Sequence, residues 1–353
     1  MKNYLSALLL MSVLAAAEEP ACGSAFFHTA WPEASAVAAV GTPSRWLVVA
    51  DNEIPKLAVY PLDRPSSLPA PALATATSPA FAVDDTEAVT VYPWDENGDG
   101  KAEAVLHVFV GSCSRSKSGK VQPARDALFA VKIDTAALEA GKPAFPDTVE
   151  YNRTLRSQLR ALGSENPGEK WGLILRDSVA PSGAKPDAQI PSLANETGLN
   201  VEGLSLSSDG KSLLLGLRSP LVEGKALLIP ITNPVAALGL GESAPQPAIP
   251  GTPLLLDLGG LGFRSIEWDD AAGRYLIAAG NAGGTKSFRL FSWSGKEGES
   301  PAPLTSPEAR AAEKIDPEGI TPVPGRKAAA VVGDGSAGTP YHEGRWLDFG
   351  AAK

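Results

Sequence analysis

The sequence has few of the side chains that carry most metal and nucleophile chemistry. Its 353 residues include two cysteines and three histidines. The cysteines form no C-x-x-C pair and the histidines share no metal-ligand spacing, which argues against a thiolate or imidazole metal centre. A Gly-x-Ser-x-Gly elbow, a P-loop and a dinucleotide fingerprint are also missing, so the sequence indicates none of the enzyme classes that these motifs mark.

The two cysteines, Cys22 and Cys113, leave two alternatives open. A disulfide between them suits an oxidising compartment. The other alternative is a pair of free thiols, because the sequence gives no distance between the two residues.

Long apolar runs are confined to the N-terminus. Leu5 to Ala17 is apolar, follows Lys2 and ends in three small residues. The run is too short to cross a bilayer and has the pattern of a secretory signal peptide. We therefore expect residues 1–17 to be removed and residues 18–353 to form one periplasmic or secreted domain with no transmembrane segment.

Positive charge is in the minority. Lysine and arginine number 31 against 40 aspartates and glutamates, which gives a formal net charge of -9. Such a surface repels nucleic acids and anionic membranes, so neither is expected as a partner. The expected ligand is a small molecule or a protein.

Turn residues are abundant, with 35 glycines and 31 prolines along the chain. Between them a short unit recurs five times, in which a polar residue opens an apolar run, a tight turn follows, and a second apolar run ends on a polar residue. The copies run from Glu33 to Asp51, Glu87 to Ser112, Glu202 to Arg218, Ser265 to Asn281 and Glu318 to Asp334. A repeated hairpin of this size predicts an all-β fold, a β-propeller.

The spacing of the copies predicts six blades. The interval between Glu87 and Glu202 is about twice the others, so we expect a degenerate blade there with Trp171 to Leu175 as one strand. One amphipathic helix is expected at Thr154 to Leu162. Pairing Ala25 to Thr29 with the C-terminal segment would close the ring and remove exposed sheet edges. The expected third strands are Leu57 to Pro61, Ala127 to Ile133, Ala226 to Ile231, Phe288 to Trp293 and Trp346 to Phe349.

The polar ends of the copies are expected to meet at one mouth of the central channel, because antiparallel pairing brings the start of each first strand beside the end of the second. One interpretation is an ordinary wet channel end. The other is a site that binds a cation or works by acid and base, since clustered carboxylates raise one another's pKa. The expected catalytic residues are Glu87, Glu202, Glu318 and Arg218. The expected substrate-binding residues are Arg218, Arg115, Ser112, Asp51, Asn281 and Asp334. The expected metal ligands at the mouth are Glu33, Glu87, Glu202 and Glu318.

A second acidic group lies in the sequence DENGDGKAE, which begins at Asp95. Oxygen ligands at alternate positions around a glycine turn suit a divalent cation, Ca²⁺ above all. The expected ligands are Asp95, Asn97, Asp99 and Glu103. The alternative is a solvated acidic turn without an ion. The loop resembles the calcium loops of FG-GAP repeats.

From Gly198 to Pro234 the sequence GLNVEGLSLSSDGKSLLLGLRSPLVEGKALLIPITNP resembles an exported bacterial family known only as a domain of unknown function, number thirty-six sixteen. The resemblance continues at VGSCSRSKSGKVQPARDALF from Val110 and at LLLDLGGLGFRSIEW from Leu254. It implies a secreted propeller and supplies no reaction. The Glu-Gly strand openings are more distantly similar to those of esterase-like phytases and gluconolactonase-like propellers, which hold a divalent cation at the channel mouth.

Two functions follow from these observations. The first is a metal-dependent hydrolase of a phosphoester or lactone, in which the mouth glutamates hold the cation and Arg218 and Arg115 hold the anionic substrate. The second is a non-catalytic propeller that binds a small molecule or a protein and uses Ca²⁺ only for stability.

Overall fold

The structure, a computed structural model of the chain, describes residues 25–29, 34–51, 56–62, 69–70, 74–76, 81–116, 119–180, 197–241, 244–283, 287–325, 328–333 and 342–348. Four sequence predictions lie outside these residues. They are the signal peptide, Cys22, Glu33 and Asp334.

Strands dominate the described residues. The strands are β1 (Ala25–Thr29), β2 (Ala34–Val40), β3 (Trp46–Asp51), β4 (Lys56–Pro61), β5 (Pro69–Ala70), β6 (Ala74–Ala76), β7 (Thr86–Trp94), β8 (Ala104–Gly111), β9 (Leu128–Val131), β10 (Asn200–Leu206), β11 (Leu213–Ser219), β12 (Ala226–Ile231), β13 (Leu254–Leu256), β14 (Gly262–Asp269), β15 (Arg274–Gly280), β16 (Phe288–Trp293), β17 (Ala302–Pro303), β18 (Pro317–Pro322), β19 (Ala328–Gly333) and β20 (His342–Asp348). The helices are α1 (Thr135–Glu139), α2 (Leu155–Glu165), α3 (Lys170–Ser178), α4 (Pro234–Ala237) and α5 (Pro307–Ala312), with 3₁₀ turns at Pro123–Arg125 and Glu313–Ile315.

The strands form five sheets in the described part of the chain. Sheet 1 has the order β2-β3-β4-β6, sheet 2 β7-β8-β9, sheet 3 β10-β11-β12-β13, sheet 4 β14-β15-β16-β17 and sheet 5 β18-β19-β20-β1-β5. The first three strands of every sheet follow one another along the chain and pair antiparallel. The predicted all-β propeller architecture, with hairpins and third strands, is therefore confirmed.

Each sheet packs on both of its faces, which explains why its strands are apolar throughout. In β3 the side chains of Trp46 and Val48 enter a core shared with sheet 2. The alternate side chains, Leu47 and Val49, enter a core shared with sheet 5. The two-residue period of a strand thus supplies two different cores at once.

The cores follow one another in a circle. One lies between sheets 1 and 2, and the others lie between 2 and 3, 3 and 4, 4 and 5, and 5 and 1. The first strands contact one another in the same order, β2, β7, β10, β14, β18 and back to β2. This arrangement sets the starts of the first strands side by side around one axis.

The sixth blade predicted between Glu87 and Glu202 is not among the described residues, and the prediction of a strand at Trp171 to Leu175 is wrong. That segment belongs to α3, which packs against α2. Gly172 of α3 faces the turn between the two helices, and a Cβ at this position would lie 2.0 Å from the carbonyl oxygen of Asn166. The close approach of the turn to α3 therefore needs glycine at position 172. Trp171 and Leu175 lie four residues apart, which is also a helical spacing. Both are buried in the core between sheets 2 and 3.

The two ends of the described chain meet in sheet 5. Strand β1 pairs antiparallel with β20, with His28 opposite Glu343, as the predicted pairing of the ends requires. The predicted amphipathic helix at Thr154 to Leu162 is confirmed as α2. Within the described ranges, none of the helices combines the length and the apolar character needed to cross a membrane.

Candidate functional site

Every first strand contains a β-bulge near its start, and the bulges define the candidate site. In each case one residue has no partner on the second strand, which lets its side chain leave the alternation of the strand. The shifts lie between Ala34 and Ala36, Thr86 and Ala88, Val201 and Gly203, Phe263 and Ser265, and Pro317 and Gly319. The bulged residues, which we call the mouth cluster, are Ser35, Glu87, Glu202, Arg264 and Glu318.

The mouth cluster is joined by ion pairs across neighbouring sheets. Arg264 Nη1 lies 2.8 Å from Glu202 Oε2, and Arg264 Nη2 pairs with Glu318 Oε1. Arg264 therefore connects sheets 3, 4 and 5 through one guanidinium group. The side chains of Glu202, Glu318 and Arg264 are only 2%, 6% and 9% exposed, so these charges act on one another with little solvent screening.

Glu202 has a second cationic partner from its own sheet. Arg218 Nη1 lies 2.9 Å from Glu202 Oε1, and Asn200 Nδ2 donates to the same oxygen at 2.7 Å. Arg218 Nε also donates to the main-chain oxygen of Asn281 at 2.9 Å. Both carboxylate oxygens of Glu202 thus bind guanidinium groups.

A glycine allows the two arginines to share Glu202. Gly262 opens β14, and a Cβ at this position would lie 2.0 Å from the carbonyl oxygen of Arg218. Only a residue without a side chain lets sheet 4 approach sheet 3 this closely. The approach brings Arg264, two residues further on, to the carboxylate that Arg218 already holds.

Glu87 is in a different state from Glu202. It is buried, and no hydrogen bond or ion pair to its carboxyl group occurs among the described residues. Burial raises its pKa well above the ordinary value, and the carboxylates of Asp85 and Glu202 raise it further, against the opposing effect of Arg264 and Arg218. The protonated form of Glu87 is therefore favoured more than in an ordinary glutamate.

Asp85 organises the edge of the mouth next to Glu87. It has a left-handed backbone, with φ of 60°, and its Oδ2 accepts from Ser112 Oγ and, at 3.1 Å, from Ser114 Oγ. Arg125 Nη1 lies 2.9 Å from the same oxygen. Ser112 is fully buried and donates its hydroxyl to Asp85. It therefore lies beside the mouth and contacts it through this aspartate.

Several polar atoms at the mouth are buried without a hydrogen-bond partner. They are Arg264 Nε, Asn200 Oδ1 and Asn281 Oδ1. A buried donor or acceptor without a partner costs free energy. The mouth therefore retains one donor and two acceptors for a bound molecule.

The structure brings together most of the mouth residues named from the sequence. Glu87, Glu202, Glu318 and Arg218 form one electrostatic group, and the main chain of Asn281 binds Arg218. Asp51 is fully buried at the end of β3, opposite the start of β2. Arg115 is separate from this group, since its guanidinium makes no ion pair with a mouth carboxylate among the described residues. Burial, and then the charge of Arg156 of α2, lower its pKa.

Arg264 and Asp85 were not predicted from the sequence. The predicted openings of the first and fourth copies were Glu33 and Ser265, whereas the bulged positions are Ser35 and Arg264. Because a bulge shifts the register by one residue, polar residues next to the assumed opening were equally good candidates. The charged residue directly before Ser265 was the available signal.

The Asp95 loop lies between β7 and β8, as predicted. The ligand atoms of Asp95, Asp99 and Glu103 are all within 4.8 Å of one another, and this is the one such acidic group found in the described residues. Asp95 Oδ1 accepts from the main-chain nitrogen of Gly98 at 2.7 Å, and Asn97 Nδ2 donates to Glu103 Oε1 at 2.7 Å. The loop is thus held in shape by its own hydrogen bonds.

Cys113 is a free thiol buried beside Asp126, with Sγ 3.8 Å from Asp126 Oδ1. Burial raises its pKa well above the ordinary value, and the charge of Asp126 adds to this effect. Of the two alternatives, Cys113 is therefore a free thiol. The buried environment of this thiol is unsuited to a nucleophile.

A separate cleft of about 450 Å³ includes Asp257, Ser287, Arg289 and Pro303 in its lining and contains no mouth residue. It has no cluster of titratable groups comparable to the mouth. The mouth cluster is therefore the stronger candidate for a functional site.

Comparison with known proteins gives a fold likeness and a family match. No curated protein matches the chain. Among solved structures, the β-propeller domain of Cps50 (Swd1) from Myceliophteria thermophila is 10% identical, with a TM-score of 0.37 over 88% of this chain and 82% of that chain. An exo-β-1,3-galactanase from Phanerochaete chrysosporium, solved with β-1,3-galactotriose, is 11% identical, with a TM-score of 0.44 over 93% of this chain and 64% of that chain.

The more distant similarity to phytases and gluconolactonases stays a prediction. Residues 183–316 match the model of the family described as Protein of unknown function (DUF3616), which is the family that the sequence resembles.

Proposed function

We propose that this protein is an exported hydrolase that cleaves a phosphoester or a lactone at the mouth cluster. Glu87 is the proton donor in this proposal. Arg218 and Arg264 hold the anionic group of the substrate and stabilise the charge that develops on it. Glu202 and Glu318 position the two arginines.

The observation that carries the proposal is the contrast between two neighbouring glutamates. Glu202 is ion-paired with two arginines, whereas Glu87 is buried without a partner among the described residues and has a raised pKa. A buried carboxyl group with a raised pKa is a recurring proton donor in acid–base catalysis. A protonated Glu87 supplies a proton at neutral pH, where an ordinary glutamate is ionised.

The reaction needs one water molecule. Water adds to the phosphorus or carbonyl carbon and releases a proton to solvent, and Glu87 takes up a proton from solvent after each turnover. The bond to the leaving oxygen breaks, and that oxygen takes the proton of Glu87. Donors fixed around the developing negative charge are the largest single contribution in many such sites, and here the donors would be guanidinium groups.

The divalent cation expected at the mouth fits the described donors poorly. Glu202 and Glu318 direct their oxygens at Arg264, and Glu202 also binds Arg218. A divalent cation at this place would face two fixed positive charges and compete with both for the same oxygens. The proposed reaction therefore has no step that depends on a metal at the mouth.

We expect the purified periplasmic protein, with its N-terminus near Glu18, to hydrolyse at least one member of a panel of phosphomonoesters, phosphodiesters and lactones. Glu87→Gln should lower kcat by about 100-fold or more, since general acid catalysis contributes about 10²–10⁴-fold. Glu165→Gln is the matched control, because Glu165 is exposed on α2. Turnover by the wild type that Glu87→Gln leaves unchanged would refute the assignment of Glu87.

A second candidate function is non-catalytic binding of a small molecule or a protein at the same mouth. The unpartnered atoms of Asn200, Asn281 and Arg264 favour it, because they serve a ligand as well as a substrate. Binding of a carboxylate or phosphate compound that Glu87→Gln leaves intact, with no turnover in any assay, would favour this function over the hydrolase.

We also propose that the Asp95 loop binds Ca²⁺ for stability. The clustered oxygens of Asp95, Asp99 and Glu103 are the hard donors that Ca²⁺ prefers. Extracellular calcium modules bind in the range of about 10⁻⁴–10⁻³ M, so Ca²⁺ at a few millimolar should raise Tm, and EDTA should reverse the rise.

The test of the loop compares Asp99→Asn with Asp209→Asn. Asp209 lies in the tight turn between β10 and β11 and also accepts local hydrogen bonds, so it is a matched control. Asp99→Asn should abolish the calcium-dependent rise in Tm, and Asp209→Asn should preserve it. An identical response in both variants would mean that calcium acts elsewhere.

A further inference from the structure

We propose that Arg115 and Arg156 form a second binding site, for a tetrahedral oxyanion such as a phosphate or sulfate group. The site lies between the segment that follows β8 and the N-terminus of α2. This inference goes beyond the hydrolase proposal and does not depend on it.

The first observation is the burial of Arg115. Its residue is only 8% exposed, and both Nη1 and Nη2 are buried without a hydrogen-bond partner. A guanidinium group offers five N–H donors and cannot lose its charge at physiological pH. A buried cation with unpaired donors is costly, and a bound anion removes this cost.

The second observation is the charge balance around Arg115. Arg156 lies close enough to interact with it, and Arg156 Nη1 is likewise buried without a partner. The one carboxylate found in ion-pair contact with these arginines in the described residues is Asp126, whose Oδ2 lies 3.3 Å from Arg156 Nε. Two guanidinium groups and one carboxylate leave one positive charge unbalanced. Burial lowers the pKa of Arg115 to about 10 and the charge of Arg156 adds to this effect, which agrees with such a surplus.

The third observation is the helix that carries Arg156. Arg156 lies in the first turn of α2, which spans eleven residues, and Thr154 at its N-cap makes no capping hydrogen bond through its side chain. The main-chain nitrogen of Arg156 has only a long contact, 3.4 Å, to Asp126 Oδ1. The N-terminus of a helix attracts negative charge, so α2 adds to the field of the two arginines.

The number of free donors favours a tetrahedral oxyanion over a carboxylate. Three nitrogens lack partners, two on Arg115 and one on Arg156. A phosphate or sulfate group offers three or four oxygens for them, whereas a carboxylate offers two. Arginine forks suit both kinds of anion, so the spread of the oxygens decides, because those of a tetrahedral anion point toward two separate guanidinium groups more readily than the two oxygens of a planar carboxylate.

Calorimetric titration of the wild-type protein tests the site directly. The titrants are inorganic phosphate, sulfate, glycerol 2-phosphate and acetate, each at constant ionic strength in chloride buffer. We expect saturable binding of at least one tetrahedral anion, and acetate binding at least tenfold weaker. Free phosphate and a phosphate ester are distinguished by which titrant binds more tightly. Absence of saturable binding for all three tetrahedral anions overturns the proposal, and so does acetate binding of equal strength.

Two variants assign the binding to the site. Arg115→Met should weaken anion binding at least tenfold, whereas Arg45→Met should leave it unchanged, because Arg45 is 58% exposed and already pairs with Glu139. Saturating phosphate should raise the Tm of the wild type by ~2–4 °C and leave the Tm of Arg115→Met unchanged. In chloride alone, Arg115→Met should be as stable as the wild type or more stable, because it removes an unpaired buried charge. Equal anion binding by the wild type and a folded Arg115→Met variant would overturn the assignment.

Discussion

Replacing Arg264 with methionine is expected to lower the free energy of unfolding by about 3–5 kcal/mol at pH 8, which is the usual cost of removing one partner from a buried ion-pair network. Arg264 is the one residue in the mouth cluster that bridges two other members, Glu202 and Glu318. Without it, Glu318 is left as a buried carboxylate, and Glu202 keeps Arg218 as its cationic partner and the hydrogen bond from Asn200.

The decrease in the free energy of unfolding that Arg264→Met causes should depend on pH. Arg264 opposes the rise in the pKa of Glu87, so its removal raises that pKa further and disfavours the carboxylate form of Glu87 in the folded protein. The destabilisation should therefore shrink between pH 8 and pH 4 in urea unfolding. Arg264→Lys should lie between wild type and methionine, because an ammonium group keeps the charge but cannot bridge two carboxylates as a planar fork does.

A surface pair provides the control for Arg264. Arg45→Met removes an arginine that is 58% exposed and pairs with Glu139, and exposed pairs contribute about 0–1 kcal/mol. A loss for Arg264→Met that is the same at pH 4 and pH 8 would assign the role of Arg264 to packing, for example to its stacking 5.8 Å from the ring centre of Phe288.

Short-range chemistry made much of the fold predictable from the sequence. Asp209-Gly210 and Ala272-Gly273 end in glycines with positive φ, and each joins the two strands of a hairpin where the sequence placed it. Such turns depend on two or three residues, so a single sequence contains the needed information. The third strands follow from the same alternation of apolar runs and turns.

The number of blades was not predictable in the same way. A short apolar run such as Trp171 to Leu175 fits a buried strand or a buried helix, and only the packing of α3 on α2 decides between them. In the described part of the interval between Glu87 and Glu202, the predicted strand at Trp171 to Leu175 is therefore wrong, and the number of blades stays a prediction.

The convergence of the glutamates was predictable from the sequence, but their ion pairs with arginines were not. In three copies the predicted opening residue is the bulged residue of the structure, namely Glu87, Glu202 and Glu318. These positions were predictable because antiparallel pairing determines which strand ends lie together. The bulge in β14 shifts the register and brings Arg264 inward, and a one-residue shift of this kind has no signature in the hydrophobic pattern. A cluster that looked suited to a cation thus contains its own cations.

Replacing Glu87 with glutamine is expected to have opposite effects on stability and activity. Because the folded-state pKa of Glu87 is raised above its ordinary value of 4.5, the wild type has the full benefit of a neutral Glu87 below that value. The benefit is lost as pH rises through the folded-state pKa, since folding then requires a buried carboxylate. Glutamine is neutral at every pH and avoids this loss.

The free energy of unfolding of Glu87→Gln should therefore equal that of wild type near pH 4 and exceed it at pH 8. The expected gain is about 1.4 kcal/mol for each pH unit that separates the folded-state and unfolded-state pKa values. Urea unfolding of both proteins from pH 4 to pH 9 measures the difference, and Glu165→Gln, on the exposed surface of α2, should follow the wild type throughout.

The sign of the difference decides what Glu87 does. A variant that is more stable at pH 8 and inactive would identify a buried acid kept at a cost to stability, which is the usual relation between a functional group and its fold. A variant that is less stable at every pH would mean that Glu87 is ionised and supports Arg218 or Arg264. In that case the mouth would be a balanced ion-pair network without a proton donor, and non-catalytic binding would become the better account of the site.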